Sequence, residues 1–452
     1  MSFRYLGSAA SLLAFFVLLA PWNSAMASEG DLDPSFGIGG KSSADITGLL
    51  LDDSVGDIAL LADGRILVAG TTSSGFPSEH DAAVLVFSPD GSIDRSFGQA
   101  GRVLIDEGGN EFCYAVAVQP DGRILLGGYR TALAGGSPES LVLRLNPDGT
   151  IDSTFGSQGV FQPTLPFAVV DLTVLPDGTV IAAGSRPSPS GSDFAIACLT
   201  GAGALNENFG EAGVVILDFG GDDYLTQLSV DSMDRLFAVG LNTAGTLELS
   251  RLLPDGSPDV TFNGSGRRVI DLGCSYDVSA VVQLDGKILV GTTVGAPGLS
   301  DFLLVRLDPD GSSDAGFGTG GVVSGDLTGT DDYLTCVALQ PDGKILAVGW
   351  AGFYPDFLVQ RYQPDGSVDQ GFGAGGWVHT DFVGDQDRAR VAVVQPDGRF
   401  VLAGDVPGSD FDESRDFGLA RYEYTTAQQQ TDTSRVARSV RSRSRARTVT
   451  VR

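Results

Sequence analysis

One unit recurs seven times along this 452-residue chain, and that repetition constrains the fold more tightly than any composition figure. Its first marker is a phenylalanine-glycine pair in a compact link. The phenylalanines are Phe36, Phe97, Phe155, Phe209, Phe262, Phe317 and Phe372, spaced 61, 58, 54, 53, 55 and 55 residues apart. Phe262 alone lacks an immediate glycine; Gly264 comes one residue late. The second marker is a turn followed by an apolar run: QPDGRILLGG from Gln119, QPDGKILAVG from Gln340, QPDGRFVLAG from Gln395. A degenerate copy, DSMDRLFAVG from Asp231, fills the fourth place. The third marker is an apolar run closing on a second turn, as in LVLRLNPDGTID from Leu141 and DFLVQRYQPDGSVD from Asp356.

Each unit reads as four short antiparallel strands. The β-rich run 115–118 (AVAV) enters a Pro-Asp-Gly turn. There proline presets its backbone angle and glycine takes the left-handed position. The run 124–127 returns as the second strand of a hairpin. A third strand follows, such as 141–145, then the second turn, the link, and a fourth strand such as 102–105. Four antiparallel strands in ~55 residues make one propeller blade. Such a blade is apolar on both faces, and a ring of seven buries every one of them. The repeats begin at Asp31 with only a link and a fourth strand, and end near Tyr424 with three strands and no link. The two halves are complementary. The predicted fold is therefore all-β: a seven-bladed β-propeller of four-stranded antiparallel blades, with the ring closed by the N-terminal strand. Closure also removes the exposed sheet edges of an open solenoid.

Composition fits this reading. The 62 glycines supply many tight turns, and 42% hydrophobic residues suffice for a core. A net charge of -28 excludes nucleic acid as a partner of the body, because a phosphate backbone is bound by Lys and Arg. The two histidines, His80 and His379, are too few for a typical catalytic zinc site. The chain contains no nucleophile elbow, no H-E-x-x-H pair and no phosphate-binding glycine loop.

Three segments are expected. Residues 1–27 read as a signal peptide: Arg4, an apolar run AASLLAFFVLLA, Pro21, and the small-x-small site Ala25-Met26-Ala27. Residues 28–424 form the propeller. Residues 425–452 read as a disordered Arg-rich tail, RVARSVRSRSRARTVTVR at its end. The mature protein is expected to be exported, periplasmic or extracellular, monomeric, and without a transmembrane segment after cleavage. Cys113, Cys198, Cys274 and Cys336 match no metal spacing and are expected as buried free thiols, with one bridge left open.

These motifs resemble the delta-60 repeat of bacterial exported proteins, which is assigned to the β-propeller class. The resemblance runs from 31 to about 424 and rests on QPDGKILxxG, the strand ending in PDGSxD, and SFGxxG. It implies the fold and carries no established activity. Two departures stand in the middle: the fourth copy lacks its first PDG, and Asn206-Glu207-Asn208 replaces the usual Asp-containing link. Irregularity is expected there.

Antiparallel alternation puts both PDG turns on one face of the ring. The loops joining strands two and three, and those joining blades, lie on the other and vary in length. Function usually sits on variable loops held by a rigid scaffold. Candidate ligand-binding residues there are Asp223, Tyr224, Asp332, Tyr333, Trp350, Phe353 and Tyr354. Aromatics with carboxylates suit a sugar, a peptide or a cation; the plainer reading is that they cover blade ends. No catalytic residue and no cofactor is expected. Calcium stays open as an alternative at Asn146, Asp148 and Asp152 and at Asp308, Asp310 and Asp314, although no bidentate Glu closes these loops. The reading favoured is a binding or interaction module whose partner is an envelope or extracellular protein or a polysaccharide. The alternatives are a polysaccharide-active hydrolase or lyase using carboxylates on the variable face, and a structural surface protein. A pair of deeply buried carboxylates at the channel mouth would favour the enzyme.

Overall fold

The computed structural model describes residues 28–424, apart from 48–50, 76–78, 134–137, 162–165, 190, 297, 328, 353–354, 383–385 and 409–413. The signal-peptide and tail expectations lie outside the described residues. Within them the chain forms seven four-stranded antiparallel sheets, with no helix long and apolar enough to cross a membrane. Blade 1 comprises Asp53–Leu60, Ile66–Gly75, Glu79–Phe87 and Arg102–Ile105, in that order across the sheet. Blade 7 takes Arg388–Val394, Phe400–Pro407 and Arg415–Tyr422 from the far end of the chain and Lys41–Ala44 from the near end. Lys41 pairs Ala420 and Ala44 pairs Phe417, so the N-terminal strand closes the ring as the complementary halves require.

The repeated markers hold neighbouring blades together. All seven link phenylalanines are at most 1% exposed. Phe155 packs under Gly203 of the next blade's turn, a glycine at φ +80° whose added Cβ would lie 2.8 Å from the ring. The residue after each phenylalanine donates its N–H to the next blade's turn: Gly98 to the Asp148 carbonyl at 2.8 Å, Gly318 to Asp365 at 3.0 Å. The last contact of this ring runs from Gly373 to the Glu29 carbonyl at 3.0 Å, with the N-terminal segment standing in for a PDG turn. Each phenylalanine contributes roughly 1.5–3 kcal/mol by burial. The repeated phenylalanine thus plugs the gap between adjacent blades.

The glycine that ends the second marker has its own cause. The first strand of six blades bulges, and the carbonyl before the bulge points at the second strand. A Cβ on Gly128 would sit 1.7 Å from the Phe112 oxygen, and one on Gly349 1.8 Å from that of Tyr333. In blade 5 the irregularity spans Cys274 to Val278, and Thr292 occupies the glycine's place. Its Oγ1 donates to the Asp277 carbonyl at 3.2 Å.

Around the axis, side chains of one blade's first strand accept the N–H of the next. Asp57 takes Val116 at 2.9 Å, Asp171 takes Leu228 at 2.6 Å, Gln227 takes Ala280 at 2.7 Å and Ser279 takes Val337 at 3.0 Å. The expected irregularity of the middle repeats is not seen in the strands: blade 4 is a regular sheet, and Asp234 takes the turn's left-handed position at φ 56°. Cys113, Cys198, Cys274 and Cys336 are free thiols in four different blades; the first three are buried and Cys336 is partly so.

Candidate functional site

Buried acids meet cations on one face of the ring and other acids on the opposite face. On the PDG face an arginine of the third strand reaches the link aspartate eight residues later. Nε to Oδ2 distances are 2.8 Å for Arg144–Asp152, 2.8 Å for Arg251–Asp259, 2.7 Å for Arg306–Asp314 and 2.8 Å for Arg361–Asp369. Each guanidinium lies over the link phenylalanine, 4.4 Å from the ring centre for Arg306 on Phe317 and for Arg361 on Phe372. Arg421 and Asp33 repeat the pair at 2.8 Å across the chain ends. In blade 3 both partners are exchanged for neutral groups, and Asn206 Nδ2 donates to Cys198 Sγ at 3.6 Å. Burial works to raise Asp314, but the Gly316 N–H, Lys287 and Arg306 outweigh it and hold the carboxyl at about 2. The turn acids are also engaged. Asp148 accepts the Thr150 N–H at 2.9 Å and its hydroxyl at 2.7 Å; Asp310 accepts both donors of Ser312.

On the variable-loop face, among the described residues, three carboxylates converge at each of five blade interfaces, with one oxygen from each within 4.8 Å of the others. One comes from the start of a third strand, one from the end of the fourth, and one from the start of the next blade's first strand. Asp416, Asp45 and Asp53 meet between blades 7 and 1; Asp81, Asp106 and Glu111 meet between blades 1 and 2. The inner members, Asp53, Glu111, Asp223, Asp332 and Asp387, are all 0% exposed. Burial, with Asp45 and Asp416 close by, pushes Asp53 up to about 7; burial also takes Asp387 to about 7.

Aromatic rings gather on the same face in two places. Tyr333 and Trp350 are register partners on blade 6, their ring centres 4.0 Å apart, and Arg388 of blade 7 lies 5.0 Å from the Trp350 ring centre. Across the ring a ladder runs from His80 to Phe112 at 5.2 Å, to Tyr129 at 5.0 Å, to Tyr114 at 5.8 Å. Tyr114 is the residue at its blade's bulge and is 41% exposed.

The sequence candidates thus separate. Tyr333 and Trp350 come together, and Tyr224 stands apart on blade 4, 45% exposed. Asp223 and Asp332 are sealed between blades rather than presented to solvent. Phe353 and Tyr354 lie outside the described residues. A buried carboxyl pair does exist: Glu248 is pushed up to about 8 by burial and then by Asp223, yet it is 1% exposed and closed off from any substrate.

Four stretches of the chain, 61–97, 119–155, 283–317 and 340–372, match the family described as "Domain of unknown function (DUF5122) beta-propeller". These four stretches are thus similar to a β-propeller repeat family, in agreement with the fold. The four matched stretches fall in blades 1, 2, 5 and 6, and each runs from an Asp-Gly first turn through a Pro-Asp-Gly second turn to the link phenylalanine. Blades 3, 4 and 7 are the ones with an exchanged Arg–Asp pair, a lost PDG and a divided chain. No curated protein matches. Among solved structures, the chain is similar to the polysaccharide lyase Uly1, with 10% identity over 81% of this chain and 89% of that one and a TM-score of 0.48. It is also similar to Sqt1 from Chaetomium thermophilum, with 11% identity over 88% of this chain and 99% of that one and a TM-score of 0.42.

Proposed function

We propose that this protein is an exported binding module, built of delta-60 repeats, that holds a polysaccharide of the envelope or medium on its variable-loop face. The observation that carries this reading is the pair of partly exposed aromatic patches on that face, Tyr333–Trp350 with Arg388 and the ladder ending at Tyr114. Aromatic faces are apolar, rigid and cheap to order, and the C–H faces of pyranose rings pack on them. Two patches spaced around one rigid ring suit a chain-like ligand engaged at two points. The inner carboxylates of this face, Asp53, Glu111, Asp223, Asp332 and Asp387, are packed inside blade interfaces, which favours holding over cleaving.

The test is affinity electrophoresis of the mature chain in gels carrying envelope and extracellular polysaccharides. Retardation by at least one polymer is expected, reduced about tenfold in affinity by Trp350→Ala or Tyr114→Ala with the far-UV spectrum unchanged. Equal retardation of wild type and both variants, or none with any polymer, overturns the reading. Cleavage of a retarding polymer would move it to the enzyme class.

A further inference from the structure

We propose that the acid triads between blades are divalent-cation sites, calcium by their donor set, and that the bound ions clip adjacent blades together. The argument starts from the inner carboxylates. Asp53 gives Oδ2 to the Ile46 N–H at 2.9 Å, Asp223 gives Oδ2 to Phe219 at 2.6 Å, and Asp387 gives Oδ2 to Phe382 at 2.5 Å. In each the other oxygen, Oδ1, is buried and has no hydrogen-bond partner. Glu111, equally buried, has neither oxygen hydrogen-bonded. A buried ionised oxygen without a donor is costly, and natural structures neutralise it. Each of these inner carboxylates faces two further carboxylates, and although Thr72 reaches Asp53 and Lys41 lies near Asp387, three acids converging on one point leave an excess of negative charge that a bound cation would offset.

Placement supports the same conclusion. Residues 81 and 106, 193 and 218, 301 and 326, and 356 and 381 are each 25 apart, and the third acid follows five or six residues later at 111, 223, 332 and 387. The repeat therefore builds the triad four times from one pattern, and the fifth time across the chain ends. Oxygen-only ligands with several carboxylates are what calcium takes, and three carboxylates supply up to six oxygens of the ~6–8 it needs. Among the described residues, cations stand at the margins of two triads: Arg186 lies 3.9 Å from Asp193, His379 lies 3.1 Å from Asp356, and Lys41 Nζ donates to the Asp381 carbonyl at 2.8 Å. At the two interfaces where the described residues form no triad, other contacts join the blades. Between blades 2 and 3, Ser140 Oγ exchanges hydrogen bonds with Phe167; between blades 4 and 5, Cys274 N–H donates to the Gly245 carbonyl at 2.8 Å.

The experiment uses the full mature chain, stripped with chelator and dialysed at pH 8. Calcium is then titrated by calorimetry, the bound metal is counted by elemental analysis, and melting is followed in parallel. Several equivalents, up to five, are expected to bind saturably, with melting raised by 5 °C or more and magnesium doing less. Asp53→Asn and, at an exposed position that does not threaten folding, Asp106→Asn should each remove about one equivalent. Asp148→Asn on the PDG face should remove none. Calcium uptake that never saturates, equal loss in all three variants, or no shift in melting at millimolar calcium overturns the proposal; in the last case the triads hold protons instead.

Discussion

The PDG face and the variable-loop face carry the same residue, aspartate, at comparable burial, and treat it in opposite ways. On the PDG face Asp152, Asp259, Asp314 and Asp369 are each gripped by an arginine that also stacks on a phenylalanine. On the other face Asp53, Asp223 and Asp387 keep one buried oxygen without a donor and face like charge. A formal charge of -28 is thus not spread evenly over a solvated surface. One face is self-neutralised and holds the ring shut, and the other is left in deficit of positive charge. The first face carries stability, and the second is the one proposed to meet a ligand.

The largest expected effect comes from breaking the self-neutralised face. Arg361→Met leaves Asp369 and Glu29 buried without their main partner and should cost about 3–5 kcal/mol in urea unfolding. A loss under 1 kcal/mol would mean that the arginine ladder is ornamental. Next comes the backbone behind the bulge. Gly128→Ala should cost about 1–3 kcal/mol, because its Cβ meets the Phe112 carbonyl. Thr292, in the one blade whose bulge lies elsewhere, should accept Ala at less cost.

A smaller effect of opposite sign is expected on the acid face. In the absence of divalent ions Asp387→Asn removes a buried like charge and should stabilise by about 1 kcal/mol. With calcium present the same change should destabilise. A loss of stability in both conditions would show that the charge on this carboxylate is already offset within the chain, beyond its hydrogen bond from Phe382.

The pH dependence sharpens the contrast. Burial pushes Asp57 up to about 6 and Asp171 up to about 7, against an unfolded value near 3.9. Between about pH 4 and 7 the folded chain therefore binds more protons than the unfolded one at these sites, so stability falls as pH rises through that window. The lowered PDG-face acids work the other way: their contribution is present above pH 4 and is lost as pH falls toward the value of about 2 held by Asp314. Carboxyl 13C titration should place the Asp171 midpoint near 7, and a midpoint near 4 would remove the first limb. The smallest effect belongs to the exposed turns, where Asp310→Asn should leave unfolding unchanged within error, since only its own Ser312 depends on it.

Much of the fold was legible because seven copies report the same local chemistry, so turn, strand and link reinforce one another. Ring closure was legible from the complementary half-blades, and the Lys41–Ala420 pairing realises it. The arginine partner of each link aspartate went unread, although its spacing of eight residues is constant at Arg144, Arg251, Arg306 and Arg361. A strand arginine looks solvent-facing until the neighbouring blade is there to cover it. The acid triads were harder still. Their members come from three strands of two blades, and against 57 acidic residues the 25-residue spacing stands out only once the strands are aligned. For the same reason Asp223 and Asp332 read as surface ligands beside their tyrosines, whereas strand alternation turns the carboxylate inward at Asp223 and leaves Tyr224 exposed.

The contrast between the two faces is tested most directly by a crystal structure of the mature chain grown with manganese in place of calcium and phased for anomalous signal. The account predicts anomalous peaks at the acid triads, those at Asp53 and Glu111 among them, and none beside the Arg–Asp pairs of the PDG face. Triads empty of metal in a saturated crystal, or peaks at the PDG turns instead, would contradict it.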